Sequence, residues 1–397
     1  MNLDEIRDNG LIQKQFWKLE INLRREKYDK NKALDIAKKY YILLKDATNL
    51  RLRADVKVGS ALSGGLDSSS IVYTINQIVK AKKTTQKQET FSCIYGNEAT
   101  KEFDESIYIN ELATYLNVKS NQIEPNIDII ERDYSKMIFL MDNPPNDSTM
   151  SGWHVYKLVA ETDIKVTLDG QGADEQQGGY LKYIPNYFID LPFSYLLVEY
   201  NSFKKIPGIS TSTLKQFVLL NVIKRLFSRK AVSFLLKIMR KNSQMAVPLN
   251  EILKVDMLNN LVKLLHYGDR LSMAHSIESR APFMDFRLVE FTASIPFVYK
   301  LHKGWTKYFV RLAMKNKLPD NVTWRKDKMG FPNAEKYWFK DELNEWCCSK
   351  IESSELLKKL NIGHNIRNKI LQMPTTYLVR LLNISMWDEV FWMKNEN

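Results

Sequence analysis

No uninterrupted apolar run in this sequence approaches the ~20 residues needed to cross a bilayer, so a membrane-spanning helix is excluded from the reading. The opening, Met1-Asn-Leu-Asp-Glu-Ile-Arg-Asp8, lacks the charged-then-apolar order of a secretory leader. Cysteine is scarce: there are three in 397 residues, and Cys347 and Cys348 are adjacent. That supply gives neither a disulfide framework nor the spacing of a zinc site. Together these absences predict a cytoplasmic chain. Neither an internal repeat nor a low-complexity segment is present.

Acidic residues are missing altogether from residues 201 to 243, which carry ten Lys or Arg. Much of the chain's net charge of +12 is therefore local. Such an excess can serve nucleic acid, anionic lipid or phosphate-rich ligands. Here Leu214, Phe217, Val218, Leu220, Val222 and Ile223, then Phe234, Leu235, Leu236 and Ile238, predict two short amphipathic helices with cationic polar faces. The plainer expectation is a solvated helical insertion. The sharper one is contact between 201–243 and an anionic membrane or an acidic partner. At 44% hydrophobic and 26% charged residues the whole is ordinary for a globular protein, long enough for two domains or one large one.

The stretch that organises the chain is Val56-Lys-Val-Gly-Ser-Ala-Leu-Ser-Gly-Gly-Leu-Asp-Ser-Ser-Ser70. Val56, Val58, Ala61 and Leu62 predict a buried strand, Ser63-Gly64-Gly65 a tight turn, and Ile71, Val72, Ile75, Ile78 and Val79 a helix beginning at Leu66. Strand, glycine turn and helix N-terminus make an anion site, because free N–H groups and the positive end of the helix dipole face the turn. The hydroxyls of Ser63, Ser68 and Ser69 add donors. Asp67 would repel an anion there unless a cation intervened, and Mg²⁺ shared with phosphate oxygens resolves the conflict. This string resembles the pyrophosphate loop of N-type ATP pyrophosphatases. It is not a Walker loop, since the lysine and the longer spacing are missing.

The rest of the N-terminal half alternates. A polar arm over 1–30 is followed by a helix over 31–52 whose apolar face is Leu34, Ala37, Tyr41, Leu44 and Ala47. After the first helix come a strand over 90–95, helices over 104–117, 127–141 and 151–161, and a strand over 165–168. The pattern predicts a parallel α/β sheet covered on both faces, with ligands at the carboxyl ends of its strands. Ser63 and Asp169, each directly after a strand, should then share one rim. Beyond Pro192 only helices are expected. The domain expectation is an α/β core over 31–200, a basic insertion over 201–250 and a helical part over 251–397.

Two further constellations carry chemistry. Leu168-Asp-Gly-Gln-Gly-Ala-Asp-Glu-Gln-Gln-Gly-Gly-Tyr180 is a loop in which Gly170 and Gly172 would let main-chain amides approach a ligand, while Asp174 and Glu175 could hold a metal or anchor the loop. Gly268 to Asp285 holds Arg270, Glu278, Arg280 and Asp285 among apolar residues. Buried charges persist when paired, so Arg280 and Asp285 are assigned to internal ion pairs, with Glu278 and Arg270 left as site candidates. Lys307 and Arg311 lie one helical turn apart.

With GWTKYFVR (304–311) and LPDNVTWRKDKMGF (318–331) added, five ordered motifs resemble the synthetase domain of glutamine-dependent, B-type asparagine synthetases over about residues 30–345. The resemblance implies an ATP- and Mg²⁺-dependent ligase that forms an acyl-adenylate, releases pyrophosphate, and lets an amine displace AMP. It places ATP on Leu62, Ser63, Gly64, Gly65, Asp67, Ser68 and Ser69, with Asp169 and Gly170, and the adenine near Cys93. It implies metal ligands Asp67 and Asp174, a charge-neutralising role for Lys307, and a catalytic role for Glu278; Arg270 is kept as a further catalytic candidate. Aspartate is the favoured carboxylate and ammonia or another amine the acceptor, with no nucleic acid expected.

Two departures stand out. Gln171 occupies a position where asparagine-forming relatives commonly carry glutamate and β-lactam synthetases tyrosine. It can position an amine or adenylate but cannot act as a base. The resemblance also implies an N-terminal glutaminase domain with a cysteine nucleophile, whereas position 2 is Asn2 and the first cysteine is Cys93. Ammonia would then arrive free or from a separate glutaminase. The alternatives are amidation or macrolactam or β-lactam-type cyclisation of another carboxylate, a tRNA-modifying pyrophosphatase, and a binding-only homologue.

Overall fold

The computed structural model describes residues 2–7, 10–82, 87–238, 242–326 and 334–392, the backbone alone for 2–7, 10–13 and 243. Positions 239–241 of the basic stretch and 327–331 of the fifth motif lie outside the described residues. In chain order the elements are β1 (Asn2–Arg7), β2 (Gly10–Gln15), α1 (Lys30–Arg51), β3 (Lys57–Ala61), α2 (Leu66–Ala81), β4 (Glu89–Cys93), α3 (Ser106–Leu116), β5 (Lys119–Ile123), α4 (Ile127–Met141), α5 (Met150–Ala160) and β6 (Ile164–Leu168). Then come α6 (Ala173–Gln177), α7 (Ile184–Asp190), α8 (Phe193–Phe203), α9 (Thr211–Leu226), α10 (Arg229–Ile238), α11 (Leu249–Met273), β7 (Glu278–Arg280), α12 (Phe286–Ser294), α13 (Phe297–Lys300) and α14 (Tyr308–Met314). Further helices run to Thr375–Phe391. Among the described residues no helix is long and apolar enough to cross a membrane. The three cysteines are unpaired and buried.

Two compact units emerge, one of residues 48–171, 263–282 and 316–397, the other of residues 1–47, 172–262 and 283–315. The first holds a five-stranded sheet of order β5-β4-β3-β6-β7 with every neighbouring pair parallel. This is the α/β architecture the alternation predicts. Gly59 lets β3 lie close to its neighbours, since a Cβ there would stand 2.8 Å from the Phe91 ring. Helix α4 starts where Asn126 Oδ1 accepts from the Asp128 and Ile129 amides at 2.8 and 3.3 Å. Its buried residues, Ile130, Tyr134, Met137, Ile138 and Met141, keep a helical period and pack on Thr375–Phe391. One core gathers Phe91, Cys93, Trp153, Ile164, Ile277 and Trp338.

Three expectations need correction. Strand β5 was not foreseen, because Lys119-Ser-Asn-Gln-Ile123 is an edge strand with no buried residue and no alternation to read. Strand β7 overturns the all-helical reading beyond Pro192: Glu278-Ser-Arg280 is short, polar and paired on one side only, to β6. Helix α1 buries Ala37, Leu44 and Ala47 as expected, but Ala33 and Tyr40 take the inner positions expected of Leu34 and Tyr41, and Leu34 is exposed. Tyr40 is held inward: its hydroxyl accepts from Gln177 Nε2 at 2.9 Å and its ring meets Phe309 edge-on.

The second unit is helical, with the β1–β2 hairpin at the start of the chain (Asn2 opposite Gln15). Its basic stretch folds as two helices, α9 and α10, as expected. Buried Asp190 ties them down: its Oδ1 receives Lys224 at 2.7 Å, Arg25 at 3.0 Å and also Arg229. Burial lowers the Lys224 pKa, and the contact with Asp190 opposes that shift.

Candidate active site

The chain runs from β3 outward to β4 and β5 on one side, then returns to β6 and β7 on the other. The order therefore reverses between β3 and β6, and sheets of this kind bind ligands beyond the carboxyl ends of the strands at such a switch point. Ser63 and Asp169 stand there, on the shared rim the sequence predicts. Gly64 makes the turn at φ +73°, and a Cβ on it would lie 3.0 Å from Tyr108 Cβ. Gly65 is the N-cap of the 16-residue helix α2 and offers no side-chain cap, so the first-turn amides face the turn without a side-chain oxygen of the capping position over them. Ser68 Oγ bridges the loop, accepting from the Ser63 amide at 3.2 Å, meeting Ser63 Oγ at 3.0 Å and donating to the Gly65 carbonyl at 3.2 Å. Asp67, Ser68 and Ser69 are buried in that first turn, where a carboxylate is favoured by the helix dipole. Leu62 is buried beneath it.

The second loop closes against the first through Gly170, where a Cβ would be 3.0 Å from the Ser68 amide nitrogen. Any side chain at 170 would invade the backbone that forms the turn. Asp169 is buried and held: its Oδ2 accepts from the Tyr156 hydroxyl at 2.7 Å and from Ser279 Oγ at 2.5 Å, and its amide donates to the Arg280 carbonyl at 2.8 Å. Burial pushes its pKa up, and the hydroxyl hydrogen bonds pull it partly back. Cys93, at the end of β4, is buried with its thiol pushed up to about 12 by desolvation. It is therefore a neutral packing group at neutral pH. Gln171 lies on Gly268, where a Cβ would stand 2.9 Å from its Nε2.

Glu278 is mostly exposed and bound to Arg280 at 2.7 Å, which holds its carboxyl below the usual range. Arg280 also donates to the carbonyls of Arg51 and Arg53, each at 2.8 Å, a structural role as expected. Arg270 is ion-paired with Asp142.

In the helical unit, Asp174 Oδ1 meets Lys307 Nζ at 2.5 Å. Lys307 is only 2% exposed and is the left-handed N-cap of α14 (φ 52°), with its carbonyl accepting from Arg311 one turn on. Gly179 is the floor of this pair: a Cβ on it would fall 1.8 Å from Asp174 Oδ1. Glu175 is buried, its pKa raised by desolvation, and accepts from the Tyr180 hydroxyl at 2.8 Å. Gln176 donates to the Phe283 carbonyl at 2.8 Å and anchors the loop. Asp285 caps α12 and pairs with Arg287 at 2.9 Å, again structural. Sequence reasoning missed Tyr156, Ser279 and Gly179; a hydroxyl inside a helix or a polar tripeptide carries no local signal. A cavity of about 470 Å³ lined by residues such as Tyr183, Asn186, Phe217 and Asp256 includes none of the candidate catalytic, nucleotide-binding or metal residues.

Among the described residues no three His, Cys, Asp or Glu groups gather as a metal site. Mg²⁺ on nucleotide phosphates needs only one or two carboxylates, and the carboxylate of Asp67, in the first turn of α2 beside the glycine turn, fits that requirement.

A parallel α/β sheet with a glycine turn and an uncapped helix start at its switch point defines a domain of the doubly wound class. The asparagine synthase family model matches residues 39–389, and the chain belongs to that family. It is 28% identical over 338 residues to asparagine synthetase [glutamine-hydrolyzing] 1 of Bacillus subtilis (strain 168), covering 78% of this chain and 51% of that protein. A putative asparagine synthetase [glutamine-hydrolyzing] 2 of Methanocaldococcus jannaschii is 34% identical over 169 residues, 41% of this chain and 30% of that protein. Amidase chry2 of Gibberella zeae is 22% identical, covering 80% of this chain and 54% of that protein. The chain thus spans about half the length of the curated relatives it matches.

Proposed function

We propose that this chain is an ATP-dependent carbon–nitrogen ligase that activates a carboxylate as its acyl-adenylate and passes the acyl group to an amine. The observation that carries the reading is the loop 62–69 at the switch point, its backbone braced by Ser68 and overlain by Gly170. In this reading the loop amides bind the β- and γ-phosphates of ATP, which leave as pyrophosphate. A carboxylate oxygen attacks the α-phosphorus, the bond to the bridging oxygen breaks, and AMP is lost when the amine attacks the acyl carbon. Lys307 neutralises charge building on the phosphates, and the buried pair with Asp174 holds its ammonium in place. Mg²⁺ would be held by Asp67 and Asp174 and would supply charge neutralisation across the phosphates. Asp169, tied by two hydroxyls, fixes the backbone of the second loop.

Aspartate with ammonia is the favoured pair, drawn from what the relatives are named for. A second reading, amidation of a different carboxylate, is favoured by Gln171, whose neutral amide rests on Gly268 and offers no base. A pyrophosphate-release screen with ATP and Mg²⁺ separates them, supplying aspartate or other carboxylates with ammonia or glutamine. Release with aspartate and ammonia supports the first reading; release with another carboxylate only supports the second. No release with any carboxylate would sink both. A Gln171→Glu variant that gains asparagine formation would identify that position as the determinant.

A further inference from the structure

Helices α9 and α10 carry large apolar residues on their outer face as well as on the face they pack. Inward, α9 buries Leu214, Phe217 and Leu220, and α10 buries Val232 and Leu236 in a cluster with Ile189 and Ala246. The orientation of the pair is fixed by polar ties to α7 and its end. Asn221 Nδ2 donates to the carbonyls of Phe188, Ile189 and Leu191 at 2.7, 3.1 and 3.0 Å, and Lys224 and Arg229 hold Asp190. The outer face is thus not an alternative inner face waiting to pack.

That outer face is mixed in an unusual way. Leu226 and Phe227, at the corner between the helices, are 72% and 74% exposed, and Phe234 and Ile238 are 64% and 63% exposed. Singly exposed apolar residues are ordinary on any surface. Here four large ones lie close together, Leu226 and Phe227 at the corner and Phe234 and Ile238 one turn apart on α10, and clustered exposed apolar residues mark interaction sites. Along α10 the outward positions read Lys230, Phe234, Lys237, Ile238, an apolar and cationic stripe at one-turn spacing. Exposed Lys215, Lys230 and Lys237 have no carboxylate partner among the described residues, and 201–243 contains no acidic residue to supply one.

We propose that the outer face of α9 and α10 binds an anionic membrane surface. Phe227, Phe234, Leu226 and Ile238 enter the boundary between headgroups and acyl chains, while Lys215, Lys230 and Lys237 reach back to lipid phosphates. Each lysine near an anionic leaflet strengthens attachment about fivefold. The aliphatic share of the patch sets this apart from a single-stranded nucleic-acid surface, which stacks bases on aromatic rings. Lysines alternating with the apolar residues set it apart from a protein interface, whose core is depleted of lysine. The proposal is independent of the ligase chemistry, since it uses none of the loop residues.

Vesicle flotation of the 397-residue chain tests it, with phosphatidylcholine alone or containing 30% phosphatidylglycerol as probes. The expected result is retention on the anionic vesicles at 100 mM salt, at least tenfold weaker retention on the neutral ones, and release at 500 mM. Phe227→Ser with Phe234→Ser should lower retention at least tenfold, and so should Lys230→Glu with Lys237→Glu, a surface-only change that leaves the buried face intact. Pyrophosphate release in vesicle-free buffer should be unchanged in both. Absence of retention at low salt would overturn the proposal, as would equal retention on neutral vesicles. Undiminished retention of the phenylalanine variant would reduce the effect to charge alone and reject insertion. A wild-type dimer that the phenylalanine variant converts to monomer would assign the face to a second copy instead.

Discussion

Replacing Gly179 by alanine tests whether the Asp174–Lys307 pair is the pre-set charge element of the second loop. The new methyl group would fall 1.8 Å from Asp174 Oδ1 and 2.2 Å from Lys307 Cε, far inside contact distance. Two routes relieve the clash. The backbone over 177–180 can lift, which strains the bonds from the Gly178 and Gly179 amides to the Asp174 carbonyl at 3.1 and 2.9 Å. Alternatively the carboxylate can rotate off the ammonium. Lys307, at 2% exposure, cannot swing aside into water. Overpacking costs about 1–3 kcal/mol, and separating a fully buried pair about 3–5 kcal/mol. The Asp174 side chain keeps some solvent contact, so roughly 2–3 kcal/mol is the expected loss in urea unfolding. Pyrophosphate release should fall about 10²-fold, the scale set by loss of one positioned charge-stabilising group. Lys307→Met keeps a carbon at the Cε position but removes the ammonium, so the ion pair that the methyl group would break is already gone. The double variant should therefore lose at least about 1 kcal/mol less stability than the two single losses added together. Wild-type stability and release in Gly179→Ala, or strict additivity with Lys307→Met, would refute the reasoning.

Asp67→Asn should keep the fold, by circular dichroism, while abolishing ATP- and Mg²⁺-dependent pyrophosphate release with every carboxylate; full release would remove Asp67 from the metal role. Gly64→Ala places a side chain at φ +73° and 3.0 Å from Tyr108 Cβ, so urea unfolding should register a loss of about 1–2 kcal/mol. Lys300 is buried, with Nζ 3.2 Å from the Gln176 carbonyl, and desolvation lowers its pKa from 10.5 to about 7. The unfolded chain then binds the extra proton between about pH 7 and 10.5, so stability should rise with pH across that window and be lost as pH falls through 7. Lys300→Met should flatten the rise, and an unchanged slope in paired urea titrations at pH 7 and 9.5 would contradict the assignment.

The loop at the switch point was legible because its signal is local: a buried strand, two glycines, hydroxyls and an apolar helix face lie consecutively from Val58 to Ile78. Helix α4 was legible for the same reason, its period unbroken from Ile130 to Met141. What escaped is what tertiary pairing alone creates. Glu278-Ser-Arg280 becomes strand β7 only because β6 offers a free edge, and that pairing brings Ser279 to Asp169. Tyr156 reads as one more helix residue until α5 packs over the sheet and its hydroxyl meets the same carboxylate. In helix α1 the pattern alone identifies Ala37, Leu44 and Ala47, but not Ala33 over the more apolar Leu34, nor Tyr40 over Tyr41, because the Tyr40 partner comes from elsewhere in the chain.

The same contrast separates two parts of the proposed chemistry. The residues assigned to phosphates belong to backbone-defined features: Gly64 needs its left-handed φ, Gly170 needs to lack a side chain, and the start of α2 must stay uncapped by a side chain. Such features tolerate few residue types, so they announce themselves in sequence, and the proposed nucleotide half of the reaction rests on them. Gln171 is different. Its backbone is constrained by the glycines on either side, but its amide only rests against Gly268, a contact that many side chains of similar length could make. Exchange of glutamine for glutamate at that position would change charge and basicity while leaving the loop unaltered. Under the proposed chemistry, a change at position 171 would alter the choice of carboxylate and amine while leaving the residues assigned to adenylation in place, so a shared loop would not require a shared substrate.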